Sequence, residues 1–169
     1  LAVLALGHAC GWPIDKMTSA LTTFTGLPHR CQVIPTTEGI TWVNDSKATN
    51  IGATIAAIEG LKSATNQLIL IAGGDGKGAD FSQLTDVLIE DVSLIIAYGK
   101  DGPELADLVE HSQLVASLEQ AVQEARQVAN EGDTVLLSPA CASLDMFTNY
   151  IARGERFAQL VQEGEGLCN

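Results

Sequence analysis

Apolar residues fall into short blocks whose spacing switches repeatedly between helical and strand-like. Leu1 to Thr23 has helical periodicity broken at Gly11-Trp12-Pro13, and Pro13 suits the first turn of a second short helix ending near Leu21 or Thr22. Thr25-Gly26-Leu27-Pro28 reads as a linker, which predicts a domain boundary between residues 1–26 and 27–169. Cys31 to Pro35 and Ile40 to Asn44 flank Thr36-Thr37-Glu38-Gly39 as a hairpin would. A helix is expected from about Asn50 to Leu61, capped by Thr49 or Asn50. Gln67 to Ala72 is continuously apolar, as a strand covered on both faces should be.

Beyond it the alternation continues. Phe81 to Ile89 is helical, Val92 to Tyr98 a second buried strand, and Glu104 to Glu110 a short helix. Leu114-Val115 forms a further strand, and Leu118 to Asn130 an amphipathic helix with a solvated acidic face. Thr134 to Leu137 is the last strand, and Asp145 to Leu160 the last helix. Such alternation predicts an α/β, Rossmann-like fold. Its sheet is mostly parallel, with helices on both faces, an antiparallel hairpin edge and short helices ahead of it.

Composition narrows the function. With 46% hydrophobic and 18% charged residues, the 169-residue chain has the makings of a buried core rather than of a disordered segment. A net charge of −12 argues against nucleic acid and anionic membranes, both of which call for a basic surface. No apolar run reaches the roughly 20 residues of a membrane span, and the apolar opening lacks the basic flank and cleavage site of a signal peptide. Cys10, Cys31, Cys141 and Cys168 are widely separated, so neither zinc nor a disulfide framework is expected; the chain reads as cytoplasmic, with free thiols. It opens at Leu1 without Met and reads as part of something longer.

In open α/β sheets ligands bind beyond the carboxyl ends of the strands. Three loops there are unusual. Asn44-Asp45-Ser46-Lys47-Ala48-Thr49-Asn50 leads into a helix start, where amides attract anions and Lys47 adds charge; the same residues also suit a plain capping loop. Gly73-Gly74-Asp75-Gly76-Lys77-Gly78 could turn successive amides into an anion-holding concavity, or be only a tight turn. It is not a Walker loop, since Ile71 and Gly78 occupy required positions. Gly74, Gly76 and Ala79 fit a dinucleotide fingerprint, yet Ala97, Tyr98 and Gly99 stand where its acidic residue is wanted.

The third loop, Ser138-Pro139-Ala140-Cys141-Ala142-Ser143, has small side chains, and Ser143 could cap the last helix and donate to a carboxylate. Cys141 has no neighbouring histidine to activate it and reads as a buried small residue. His29-Arg30 follows the linker, where a hinge residue can meet a shared ligand; a solvated pair fits equally. Gly99-Lys100-Asp101-Gly102-Pro103 reads as turn chemistry, and His8 and His111 as ordinary helix or surface residues.

In order along the chain, Leu21-Thr22-Thr23-Phe24-Thr25-Gly26-Leu27-Pro28-His29-Arg30, Asn44 to Asn50, Gly73-Gly74-Asp75-Gly76-Lys77 and Ser138 to Asp145 closely resemble the carboxyl-terminal part of the Mur ligases. The resemblance covers nearly the whole chain. It implies the third domain of a cytoplasmic, ATP-dependent enzyme of bacterial peptidoglycan synthesis, and so of cell-wall growth, cell shape and division. Residues 1–26 would be the last helices of the central ATP-binding domain, and 27–169 the amino-acid-binding domain.

The best-fitting family reaction adds D-glutamate to UDP-N-acetylmuramoyl-L-alanine through an acyl phosphate; other Mur ligases and folylpolyglutamate synthase are sibling readings. Carried over by motif, Thr49, Lys77, Ser143 and Tyr150 bind D-glutamate, with Tyr150 where the family usually has phenylalanine. Arg30, Asp45 and Lys47 reach the nucleotide. The P-loop and the ligands of Mg2+, which accompanies ATP, would lie outside this chain, leaving it with no catalytic residue or metal site of its own and inactive alone. Two other classes stay open: a dinucleotide-binding Rossmann module and a non-catalytic interaction domain.

Overall fold

The computed structural model describes residues 2–24, 26–37 and 39–165. Leu1, Thr25 of the expected linker, Glu38 of the hairpin turn and the thiol of Cys168 lie outside the described residues. Two helices, α1 (Ala2–Ala9) and α2 (Ile14–Leu21), come first and pack chiefly on each other. Pro13 precedes α2 as its cap residue. Their apolar faces are open: Val3, Trp12, Ile14, Leu21 and Phe24 are exposed.

Next come β1 (Gln32–Ile34) and β2 (Thr41–Asn44), antiparallel with Val33 opposite Val43, the expected hairpin. The chain continues through α3 (Ile51–Leu61), β3 (Leu68–Gly73), α4 (Thr85–Asp91), β4 (Leu94–Tyr98), α5 (Gly102–Ala106), β5 (Ser112–Leu114), α6 (Leu118–Val128), β6 (Thr134–Leu137) and α7 (Tyr150–Glu165). One six-stranded sheet results, in the order β1-β2-β6-β3-β4-β5, parallel except at the β1 edge. The α/β class and the antiparallel edge are those predicted.

Strands β3 and β6 run through the centre and are buried at every position. Two apolar cores result, one on each face of the sheet. Leu70, Leu88, Ile95 and Leu105 belong to the first, beneath α3, α4 and α5. Trp42, Ile71, Ile96, Val122 and Phe157 belong to the second, beneath α6 and α7, with Trp42 and Phe157 ring centroids 6.0 Å apart. Each fully buried large side chain contributes roughly 1.5–3 kcal/mol, enough to make the sheet a rigid floor for its loops.

Several boundaries depart from the sequence reading: α5 is Gly102–Ala106 rather than Glu104 to Glu110, and β5 is Ser112–Leu114 rather than Leu114-Val115. Phe81 to Leu84 is a single 3-10 turn before α4, started by Asp80, which accepts from the Ser82 amide. More consequential, α7 begins at Tyr150 rather than Asp145. The amides of Met146 and Phe147 turn back onto the Ser143 carbonyl, and Asn149, not Ser143, accepts from the first turn of the helix through the Ala152 amide. Apolar spacing alone could not show this, because a turn and a helix both place Phe147 inward.

Candidate functional site

Strands β2, β6 and β3 are neighbours, so the loops leaving their carboxyl ends meet on one rim. Backbone hydrogen bonds stitch these loops together. The Asp45 amide donates to Leu137 O (2.8 Å), Gly73 to Pro139 O (3.0 Å), and Asp75 and Ala142 exchange bonds at 3.0 and 2.8 Å. Thr49, Lys77 and Ser143, scattered over 95 positions of sequence, ride on three adjoining loops of one edge.

Of the two readings the sequence left open for the glycine loop, an anion-holding concavity and a tight turn, its amide bonds favour the turn. Gly74 donates to Tyr98 O, Gly76 to Asp101 Oδ2 (2.7 Å), Lys77 to Asp75 Oδ1 (2.9 Å) and Ala79 to Gly76 O. With these amides already bonded, only side chains of this loop remain available to a ligand. The arrangement also removes the amide cradle that a dinucleotide module would need. The loop after β4, expected to be turn chemistry only, is its buttress: Asp101 takes the Gly76 amide, and Lys100 pairs with Asp75 at 3.1 Å. Those bonds hold the Asp75 carboxyl below the usual carboxylate range, the Lys77 amide contributing most and Lys100 next.

Lys77 itself is exposed and has φ +55°. A non-glycine residue in that region costs about 1–2 kcal/mol, and glycine, which flanks it on both sides, would avoid the cost. Strain kept where a glycine would relieve it points to a use for the side chain. No hydrogen bond or ion pair among the described residues engages the Lys77 ammonium or the hydroxyls of Thr49 and Ser143. Thr49 is half-buried and Ser143 buried.

Arg30, Asp45 and Lys47 line a cleft of about 320 Å3 beside the start of α3. They differ in availability. Arg30 is exposed, whereas both oxygens of the buried Asp45 carboxylate are occupied, by the Cys31 amide (3.2 Å) and by Ser138 Oγ (3.1 Å). Burial pushes the Asp45 carboxyl up, against the lowering effects of those bonds and of Arg30. The ammonium of Lys47 lies 3.9 Å from the centroid of the Tyr150 ring, a cation–π contact, and His29 meets the same ring edge-on at 6.2 Å. Tyr150, grouped by motif with Thr49, Lys77 and Ser143, therefore meets Lys47, a residue of the cleft, through its ring.

Cys141 is fully buried and its thiol is pushed up to about 12, mainly by burial, which leaves it a packing residue as expected. Among the described residues no group of three or more His, Cys, Asp or Glu gathers as a metal centre would require. No helix there is long and apolar enough to cross a membrane.

One residue of the site was not singled out from sequence. Arg153, in the first turn of α7, is fully buried beneath the rim. Its Nε donates to Ser46 Oγ (3.0 Å), one terminal nitrogen to Ser46 O (2.9 Å) and Cys141 O (3.1 Å), and the other to Gly73 O (3.4 Å). The Tyr98 hydroxyl is buried nearby without a hydrogen-bond partner and is pushed up to about 12 by burial, which the neighbouring guanidinium partly offsets. An arginine in an amphipathic helix gives no sequence signal of such a role. Only a helical phase placing position 153 on the sheet-facing side, with Phe157 one turn on, could have raised it.

The rim is thus built from β-strand ends whose loops are bonded to one another through the backbone, with Arg30 and Lys77 exposed on it. The model of the Mur ligase glutamate ligase domain matches residues 29–141. Relatives named UDP-N-acetylmuramoylalanine–D-glutamate ligase include those of Colwellia psychrerythraea (56% identical over 99% of this chain), Shewanella oneidensis (51% over 98%) and Pseudomonas aeruginosa (49% over 96%). The chain spans 36%, 38% and 37% of their lengths. Among solved structures, MurF ligase from Thermotoga maritima in complex with ADP superposes with a TM-score of 0.70 at 16% identity, over 98% of this chain and 37% of that one. A folylpolyglutamate synthase/dihydrofolate synthase with Mn, AMPPNP and L-glutamate bound does so at 0.60 and 20% identity, over 80% and 32%. These last two share the fold. The chain belongs to the Mur ligase family, within its carboxyl-terminal glutamate ligase domain.

Proposed function

We propose that the chain is the amino-acid-binding domain of an ATP-dependent ligase that joins D-glutamate to UDP-N-acetylmuramoyl-L-alanine in bacterial peptidoglycan synthesis, in the cytoplasm. The observation that carries the reading is the rim itself. Three loops have bonded their amides to one another and leave Thr49, Lys77 and Ser143 uncommitted, two hydroxyls and one ammonium for an incoming acid with two carboxylates. Relatives at about half identity over nearly the whole chain carry the name of that ligase.

In this reading Lys77 supplies charge to one carboxylate of D-glutamate, and the Thr49 and Ser143 hydroxyls fix its orientation. The amine is thereby held for attack on an acyl carbon activated elsewhere in the enzyme, and positioning is this domain's share of the catalysis. ATP supplies the phosphoryl group that activates the acceptor carboxylate. Arg30 and Lys47 fit its phosphates because both are cationic and open on the same cleft, while Asp45, fully bonded, holds that cleft in shape. The Mg2+ that accompanies ATP is left to ligands outside residues 1–169.

Residues 1–26 are read as the last helices of a central ATP-binding domain and 27–169 as the domain that closes over it. Supporting this, α1 and α2 carry an apolar groove of about 510 Å3 lined by Val3, Trp12, Met17, Leu21 and Phe24, a surface suited to the amino-terminal part of the same polypeptide. The test is phosphate release by the full-length protein given ATP, UDP-N-acetylmuramoyl-L-alanine and D-glutamate. Turnover should depend on all three and be absent with residues 1–169 alone. Full-length enzyme indifferent to D-glutamate would refute the substrate reading; turnover by this chain alone would refute the division of labour.

A further inference from the structure

Buried arginines ordinarily face carboxylates, because a guanidinium taken out of water is costly without a countercharge. Arg153 is 0% exposed, yet among the described residues no carboxylate lies within salt-bridge distance of it. Its acceptors are the carbonyls of Ser46, Gly73 and Cys141 and the hydroxyl of Ser46, so one side chain grips the loop after β2, the end of β3 and the loop after β6.

Two physical consequences follow. A carbonyl oxygen is the negative end of its peptide, and the carboxyl ends of parallel strands would present such oxygens to a ligand. Bonding to Arg153 draws three of them under the rim and away from an incoming anion. The guanidinium also stays charged without a carboxylate in contact: burial works against the charged form, and Asp145 acts on it from beyond salt-bridge distance. It sits where dielectric and salt screen it least, in a chain whose net charge of −12 opposes anionic ligands.

Resting on the D-glutamate reading above, we propose that Arg153 is the positioning residue that gives this rim its affinity for a dicarboxylic amino acid. It holds the Ser46, Gly73 and Cys141 carbonyls inward and leaves its own charge beneath the loops that carry Thr49, Lys77 and Ser143. Being buried, it does not touch the ligand.

The test compares Arg153→Gln and Arg153→Lys in the full-length ligase by KM for D-glutamate, KM for ATP, kcat and melting temperature. Glutamine, neutral and short of donors, should raise the D-glutamate KM about tenfold or more with the ATP KM held within about threefold; lysine, which keeps the charge but not the fork, should raise it only about threefold. A D-glutamate KM within about twofold of wild type in folded Arg153→Gln overturns the proposal. So does a common rise of both KM values, the mark of a merely structural arginine. Should neither variant fold, Ser46→Ala carries the test, since it removes the hydroxyl that accepts from Nε: a rise of about threefold in the D-glutamate KM alone is expected, and no rise overturns the proposal. Wild-type enzyme that does not use D-glutamate takes down the substrate reading and this inference with it. Wild-type turnover on D-glutamate with an indifferent glutamine variant takes down the inference alone.

Discussion

Replacing Lys77 by glycine separates what this residue costs the fold from what it does for the ligand. In the folded chain Lys77 stands at φ +55°, exposed, with its ammonium unpaired among the described residues. Glycine removes a left-handed penalty of about 1–2 kcal/mol and adds back about 0.5–1 kcal/mol of unfolded-state entropy, so stability should rise by about 0.5 kcal/mol. In a domain of this size that is about 1–2 °C in Tm. The Lys77 amide bond to Asp75 survives the change, because glycine retains the N–H.

Binding should move the other way. A charge-assisted hydrogen bond contributes about 1.5–3 kcal/mol when buried, and the exposure of Lys77 selects the low end, which corresponds to about tenfold. Steady-state assays of the full-length ligase with D-glutamate varied should therefore show KM up about tenfold and kcat changed less, beside a melting curve that does not fall. A D-glutamate KM within twofold of wild type would remove Lys77 from the site. A Tm lower by more than about 3 °C would show that the positive φ is not strain and that the loop needs the lysine for its shape.

Gly74→Ala tests the stitched backbone. At φ +122° an added Cβ collides with the Ala142 carbonyl, part of the Asp75–Ala142 bridge, and should cost about 3 kcal/mol in chemical denaturation; a loss under about 1 kcal/mol would mean that the loops yield easily. Asp45→Asn tests the buried carboxyl. Because its folded pKa is raised above 3.8, between the two values the native state keeps a proton that the unfolded chain has released, and above both it is the carboxylate described above. This group's contribution is thus fully present at lower pH and is lost as pH rises through the folded value. Asparagine can still accept from Cys31 and offer an NH to Ser138, so the Tm difference between variant and wild type should grow from about pH 3.8 toward neutrality; a flat difference would sink the assignment.

Much of this molecule was written locally. The continuous apolar run in β3, the hairpin ahead of β2 and the polar loops at strand ends each follow from neighbouring residues, and so do the α/β class and the placement of Thr49, Lys77 and Ser143 at loop positions. Helix α7 shows where local reading ended: an apolar spacing that passes through Phe147 cannot tell turns from helix, and Ser143 lost its expected capping role to Asn149. The glycine loop shows it again. Its letters allow free amides or a tight turn, and which holds depends on Tyr98, Asp101 and Ala142, which folding brings in from other parts of the chain.

What the sequence determined by itself was the periodicity, and with it the sheet, its covered faces and the side of it on which chemistry would gather. Tertiary structure alone decided which polar groups remain available. Hydrogen bonds are short-ranged and each N–H donates only once or nearly so, so the competition among loops far apart in the chain is settled only when they meet. Arg153 is the plainest case: nothing around position 153 in the sequence announces that its guanidinium ends beneath loops that begin as far back as Ser46.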